Sequence, residues 1–217
     1  MWGEMRRYAV KEIFYTMQGE GVHTGTPSVF LRFTGCNLWT GLENTRDRDA
    51  ERHGAFCPVF CDTDFVGGDR MTAEDLVVRV LEAGASPDVP IIATGGEPLL
   101  QLDAPLLDAL SSRGLRVFVE TNGTVAAKPG VMERVSWVCM SPKVARDKIK
   151  LQRCDEVKVV FPRYNPSDFE DFPAGAFFVQ PEDGPEQESN IKNAVAYVLA
   201  NPSWRISLQT HKILGVP

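Results

Sequence analysis

VPIIATGGEPLLQLDAPLLDALSSRGLRVFVETNGT runs from Val89 to Thr124. It opens on a short apolar run, Val89 to Ala93, and passes at once into Thr94-Gly95-Gly96-Glu97-Pro98. A leucine-rich segment follows. It predicts a helix from about Pro98 to Arg113 with a stop at Gly114, since Pro suits a first helical position and Gly the position just past an end. Then comes LRVFVE, rich in Val and Phe, which leads into Thr121-Asn122-Gly123-Thr124. Strand, crossover helix, strand predicts two parallel neighbours in one sheet. Such sheets gather functional groups at the carboxyl ends of their strands. Both runs carry their unusual residues there.

The same layout recurs along the chain. SVFLRF leads into TGCN, SWVCM into SPK, DEVKVVF into PRYN, AFFVQ into PEDG and WRISLQ into THK. These runs are rich in Val, Ile and Phe and bounded by Gly, Pro and Asn, as buried strands are. A second helix is expected from an N-cap at Thr72 through EDLVVRVLEAG to Gly84, and a third after Ser189 as NIKNAVAYVLAN. No comparable amphipathic pattern lies between Ser141 and Phe178. The count is six or seven strands and three main helices. A closed eight-unit barrel takes about 250 residues, and 217 with three helices fall short. The expected fold is α/β, an open, partial parallel barrel, as one domain over residues 1–217. Its mouth would collect TGC, TGGEP, ETNG, SPK, VQP and QTHK.

Composition narrows the class. With 43% hydrophobic and 24% charged residues the chain reads as a soluble globular protein. No apolar run approaches the eighteen or so residues of a membrane span, and MWGEMRRYAV lacks the pattern of a signal peptide. A cytoplasmic location is expected. A net charge of −6 gives no global basic footprint for nucleic acid, so a small anionic or neutral substrate is the better expectation. Five cysteines in such a chain argue against a disulfide framework. Cys139 and Cys154 read as small packing residues.

Cys36, Cys57 and Cys61 stand together, split by a polar insert at about 38–56 that reads as a solvated helical excursion. Three thiolates can hold a [4Fe–4S] cluster and leave one iron without a protein ligand. With His53 they also make a Cys3His zinc set. On spacing alone iron–sulfur, zinc and plain packing remain open. Gly95 and Gly96 expose backbone for close approach by a ligand, and Glu97 is expected to add a carboxylate at the rim. The rival reading of TGGEP is an ordinary strand-to-helix turn.

Together these residues resemble the radical S-adenosylmethionine (SAM) enzymes, with Cys36, Cys57 and Cys61 as the cluster triad and Gly95-Gly96-Glu97 as the motif for the methionine amino group. The ordered set YTMQGEG, FLRFTGCNLW, CDTDF, TGGEP, ETNGT, SPK and QTHKILGVP spans nearly the whole chain. It is similar to the 7-carboxy-7-deazaguanine synthase family. That resemblance implies a β6/α3 partial barrel, a homodimer and a step of queuosine and deazapurine biosynthesis. The reaction implied turns 6-carboxy-5,6,7,8-tetrahydropterin into 7-carboxy-7-deazaguanine with loss of ammonia. It uses a [4Fe–4S] cluster, SAM as a regenerated cofactor, Mg²⁺ and an external flavodoxin-like or ferredoxin-like electron donor. The alternatives are another radical SAM enzyme, such as a glycyl-radical activase, and a zinc-stabilised binding module. One departure stands out: the superfamily spacing is CxxxCxxC, whereas here twenty residues separate Cys36 from Cys57 and three separate Cys57 from Cys61.

The same resemblance implies the site. Thr63 would ligate Mg²⁺. Phe60 would lie beside the adenine of SAM, with Glu120, Thr121, Asn122, Ser141, Lys143 and Gln180 as further SAM contacts. Gln18, Glu20, Arg32, Thr94, His211 and the terminal Pro217 would contact the pterin, which predicts intolerance of a C-terminal tag. No protein residue is assigned catalysis beyond the cluster and SAM. The residues themselves also allow plainer readings: a turn at Thr63, a glycine-rich hairpin at MQGEG, and a structural salt bridge for Arg32.

Overall fold

A computed structural model describes residues 6–217 of the chain. The unit read from Val89–Thr124 forms as a parallel pair: β4 (Ile91–Gly95) lies beside β5 (Val117–Thr121), with Ile91 opposite Val117 and Ala93 opposite Val119. The crossover is not one helix. Pro98–Leu100 makes a single 3₁₀ turn, and α4 (Ala104–Ser111) starts afresh. Asp103 caps it by accepting the Leu106 N–H at 3.1 Å. Pro105 explains the break, because a continuous helix would need the N–H that Pro lacks.

Around this unit the described residues form one nine-stranded sheet. Its remaining strands are β1 (Tyr8–Met17), β2 (Pro27–Phe33), β3 (Asp69–Met71), β6 (Trp137–Met140), β7 (Glu156–Phe161), β8 (Ala176–Pro181) and β9 (Arg205–Ile206). Their order is β3-β1-β2-β4-β5-β6-β7-β8-β9. Every pair from β2 to β9 is parallel, while β1 runs antiparallel to both β2 and β3. The sheet is open, with β3 and β9 at its edges. All seven runs read as strands are strands, although WRISLQ pairs over only two residues. β1 and β3 are additional. They form the antiparallel end, where β1 is only partly buried, so its sequence lacks a clean apolar signal.

Side-chain alternation divides the sheet into two faces. Val29, Leu31 and Phe33 of β2, Ile91 and Ala93 of β4, Val117 and Val119 of β5, and Val157 and Val159 of β7 point outward into the main core. There they meet Leu76, Val77 and Val80 of α3 (Ala73–Glu82), Leu106, Leu107 and Leu110 of α4, and Ala194 of α5 (Gln187–Ala200). α3 begins where expected. Thr72 accepts from the Asp75 N–H, and the Asp75 side chain accepts from the Thr72 N–H, a reciprocal cap. The opposite, concave face carries polar residues. The insert after Cys36 forms α1 (Arg46–His53), and one helical turn, α2 (Cys57–Phe60), follows. A short helix, α6 (Thr210–Leu214), ends the chain. Among the described residues no helix is long and apolar enough to cross a membrane.

Candidate active site

A cavity of roughly 310 Å³ opens at the carboxyl ends of the parallel strands, on the concave face. Cys36, Cys57 and Cys61 share one of its walls with Phe60 and Thr63. The end of β4 supplies Thr94, Gly95 and Gly96; β5 and its turn supply Glu120, Thr121 and Asn122; Ser141 and Lys143 follow β6, and Gln180 comes from β8. The cavity therefore unites fifteen residues expected at the site, Glu20 among them, drawn from segments spread over most of the chain.

The cysteines are free and half-buried. Burial pushes the Cys57 thiol up to about 12 and raises Cys36 as well. The Leu38 N–H lies 3.4 Å from the Cys36 sulfur and partly offsets that rise. Among the described residues no three His, Cys, Asp or Glu side chains converge tightly enough to hold a single metal ion. Cys36, His53, Cys57 and Cys61 thus do not form the compact set that zinc takes. By donor chemistry three thiols on one wall fit a polynuclear cluster, in which separate irons take separate cysteines.

The two glycines of TGGEP are required before any ligand arrives. Gly95 has a φ of 131°, open to Gly alone. A Cβ on Gly96 would collide with the Gly35 carbonyl and lie 2.8 Å from the Cys36 Cβ. Gly96 is what lets the β4 turn pack on the first cysteine. Gly96→Ala is expected to cost about 1–3 kcal/mol through overpacking, read as a lowered midpoint in thermal unfolding. An unchanged midpoint would mean that the Gly35–Cys36 backbone yields freely.

Glu97 does not sit at the rim. It is fully buried and is not among the residues that line the cavity. Its carboxyl accepts the Leu99 N–H at 3.0 Å, the Thr121 hydroxyl at 2.8 Å and the Asn122 N–H at 2.9 Å. Burial pushes it up to about 7 against those three donors. Glu97 is a strap between the ends of β4 and β5, and it holds Thr121 and Asn122 in place.

Glu20 reaches the cavity from the β1–β2 hairpin. Its carboxylate pairs with Lys158 at 2.5 Å and accepts from Gln180 at 3.1 Å and Gln209 at 3.0 Å. Burial pushes its carboxyl up, but the Lys158 ammonium outweighs that and holds it at about 2. Lys158 also reaches Glu120, at 3.2 Å. Gln18 stands behind, donating to Glu120 at 3.0 Å and accepting the Glu20 N–H at 3.2 Å. Lys158 was missed by sequence reasoning. Its signal was present, since a lysine interrupts the apolar run DEVKVVF, as Arg32 interrupts SVFLRF. Arg163, whose guanidinium lies 4.0 Å from the Phe60 ring centroid and pairs with Glu182 at 2.9 Å, was also missed. So was Lys212, which bridges Asp62 at 3.0 Å and Asp183 at 2.7 Å across the mouth.

Besides Gln18 and Glu97, three expected residues lie outside the cavity wall. Arg32 is in register with Thr94 on the concave face, but its charge is met by Glu12 at 2.7 Å. His211 packs against Gly19 in a second, apolar recess with Met17, Ile213 and Leu214. The Pro217 terminal oxygen accepts from Thr16 at 2.9 Å.

An open parallel α/β sheet with a cysteine-walled cavity at its strand ends defines a partial-barrel enzyme class. Escherichia coli QueE shares this fold, with a TM-score of 0.65 over 93% of both chains at 23% identity. No protein-family model matches the chain. It is 46% identical to the 7-carboxy-7-deazaguanine synthase of Caulobacter vibrioides, covering 97% of this chain and 99% of that protein. It is 46% identical to the one from Bradyrhizobium diazoefficiens, with coverages of 96% and 99%, and 45% identical to the one from Bordetella pertussis, with 97% and 99%. The chain belongs to the 7-carboxy-7-deazaguanine synthase family.

Proposed function

We propose that the chain converts 6-carboxy-5,6,7,8-tetrahydropterin into 7-carboxy-7-deazaguanine with release of ammonia. The observation that carries this reading is the single cavity joining three cysteines, the Gly95–Gly96 backbone and the Glu20–Lys158–Glu120 charges. Family membership over nearly the whole chain supports it. The donor set fits a [4Fe–4S] cluster held by Cys36, Cys57 and Cys61, with SAM beside it. When bound, the cluster and SAM supply one-electron chemistry and a hydrogen-abstracting 5′-deoxyadenosyl radical, with the electron coming from an external flavodoxin-like or ferredoxin-like donor.

The chain's residues bind and orient. The Gly95–Gly96 backbone receives the SAM amino group, and Ser141 and Lys143 its carboxylate. Lys143 donates to Ser141 at 2.8 Å, so the two act together. Glu120, Thr121, Asn122 and Gln180 serve the ribose and adenine, with Phe60 alongside. Glu20 stays ionised at any working pH and accepts N–H groups from the pterin edge. Thr94 contacts the same ligand. Thr63 would offer an oxygen ligand to Mg²⁺, a cation that prefers oxygen donors. Arg32, His211 and Pro217 lie outside the wall and carry no step in this reading.

The test is anaerobic. The protein is reconstituted with iron and sulfide and mixed with SAM, dithionite, Mg²⁺ and the pterin, and products are followed by mass spectrometry. The expected result is 7-carboxy-7-deazaguanine with little net loss of SAM. SAM cleavage that ignores the pterin would discard the substrate. A colourless protein with bound zinc would discard the chemistry.

A further inference from the structure

The insert between the first two cysteines has a use that its solvated sequence does not announce. The Cys57–Cys61 turn is α2, closed by a Cys61 N–H bond to the Cys57 carbonyl at 2.7 Å. A one-turn helix leaves its last carbonyls without partners. Arg46, the first residue of α1, supplies them. Its Nη1 donates to the Pro58 carbonyl at 2.5 Å and the Cys61 carbonyl at 3.2 Å, and its Nη2 reaches the same Cys61 oxygen at 3.2 Å. The remaining N–H groups go to Glu43, from Nε at 2.7 Å and Nη2 at 2.6 Å. All five guanidinium donors are thereby used. The plane itself lies over the Trp39 ring, 4.1 Å from its centroid, and Trp39 is buried.

α1 is anchored independently of this contact. Asp49 is buried and accepts the Thr40 N–H at 3.0 Å and the Thr45 hydroxyl at 2.8 Å. The insert is therefore a mount that aims one arginine at the carbonyl side of the cysteine turn. The three-residue spacing between Cys57 and Cys61 makes that turn a helical one, with carbonyls for a planar cation to clamp.

We infer that Arg46 is a positioning residue for the iron–sulfur ligands: it locks the Cys57–Cys61 turn and sets a fixed positive charge at the cluster. This rests on the reading of the three cysteines as cluster ligands. Groups that orient ligands in this way typically change metal affinity by about 10–100-fold. A lysine offers three donors from a point and cannot span both carbonyls and Glu43.

The test uses the full-length protein, reconstituted anaerobically, as wild type, Arg46→Met, Arg46→Lys and, as an exposed control on the same helix, Arg52→Met. Iron and sulfide content are followed during a chelator challenge, and the midpoint potential of the cluster is measured by electron paramagnetic resonance. Arg46→Met and Arg46→Lys are both expected to lose iron roughly 10-fold faster. Arg46→Met alone also loses the charge, so its potential is expected to move negative, while Arg52→Met matches wild type. Circular dichroism of the cluster-free variants checks that the sheet is intact, and Arg46→Lys still carries the test if Arg46→Met does not fold. If both variants keep iron as long as wild type at an unchanged potential, the assignment of Arg46 is overturned. If the wild type takes up no iron and sulfide, the reading of the cysteines falls first and takes this inference with it.

Discussion

Lys158→Met is expected to destabilise the folded protein by about 3–5 kcal/mol, the usual cost of removing one partner from a buried ion pair. The ammonium is buried and reaches Glu20 at 2.5 Å and Glu120 at 3.2 Å. Burial disfavours its charge, but the surrounding acidic groups outweigh that and raise its affinity for a proton. Without it, Glu20 and Glu120 face each other across the cavity with no cation between them. Glu156, buried close by and raised by burial, adds to the strain of that arrangement. Chemical unfolding of wild type and variant measures the loss, and equal midpoints would show that the carboxylates are solvated after all. The pH dependence has a definite sign. The Glu20 carboxyl lies near 4.5 when unfolded and about 2 when folded. Its contribution is present above 4.5 and is lost as the pH falls through about 2. The gap between wild type and Lys158→Met should therefore close on acidification.

Cys57→Ala is expected to abolish the cluster and all SAM cleavage while leaving the sheet folded. Cys57 sits outside the main core, packed with Cys36 against the small cluster of Leu38, Ala55 and Val144. Truncating it to Ala removes one sulfur from a half-buried site, so the fold loses little. On the proposed ligand set, this change removes one of three cysteine anchors and would leave an iron unheld, which metal sites tolerate poorly. Iron and sulfide analysis after reconstitution reads the result directly. A full [4Fe–4S] complement in Cys57→Ala would remove this cysteine from the ligand set. Cys139→Ala, at a buried thiol beside Glu156 and not in that cysteine group, should retain its iron and sulfide.

Much of the fold follows from patterns that act over a few residues. Short runs rich in Val, Ile and Phe, bounded by Gly, Pro and Asn, mark the seven parallel strands, because buried strands have the same needs wherever they lie. Thr72 and Asp75 announce a helix start, because a cap is satisfied within four residues. β1 was less legible, since its neighbours cover only part of it and its residues mix apolar with charged. Pro105 was visible, but the leucines around it masked the break that it imposes.

The site divides in the same way. By itself the sequence determined which residues stand at the ends of strands: Cys36, Gly95–Gly96, Thr121–Asn122, Ser141, Lys143 and Gln180. Strand ends share one edge of a parallel sheet, so a linear motif suffices to place them. Only the tertiary structure decided which charges meet. Glu97 turned inward to join β4 to β5, Arg32 took Glu12, and Lys158 joined Glu20 to Glu120. Arg46 closed on the turn of Cys57 and Cys61. Each of these pairings depends on register and distance between segments far apart in the chain. Electrostatics and hydrogen bonding act through space, and no local pattern of residues records them.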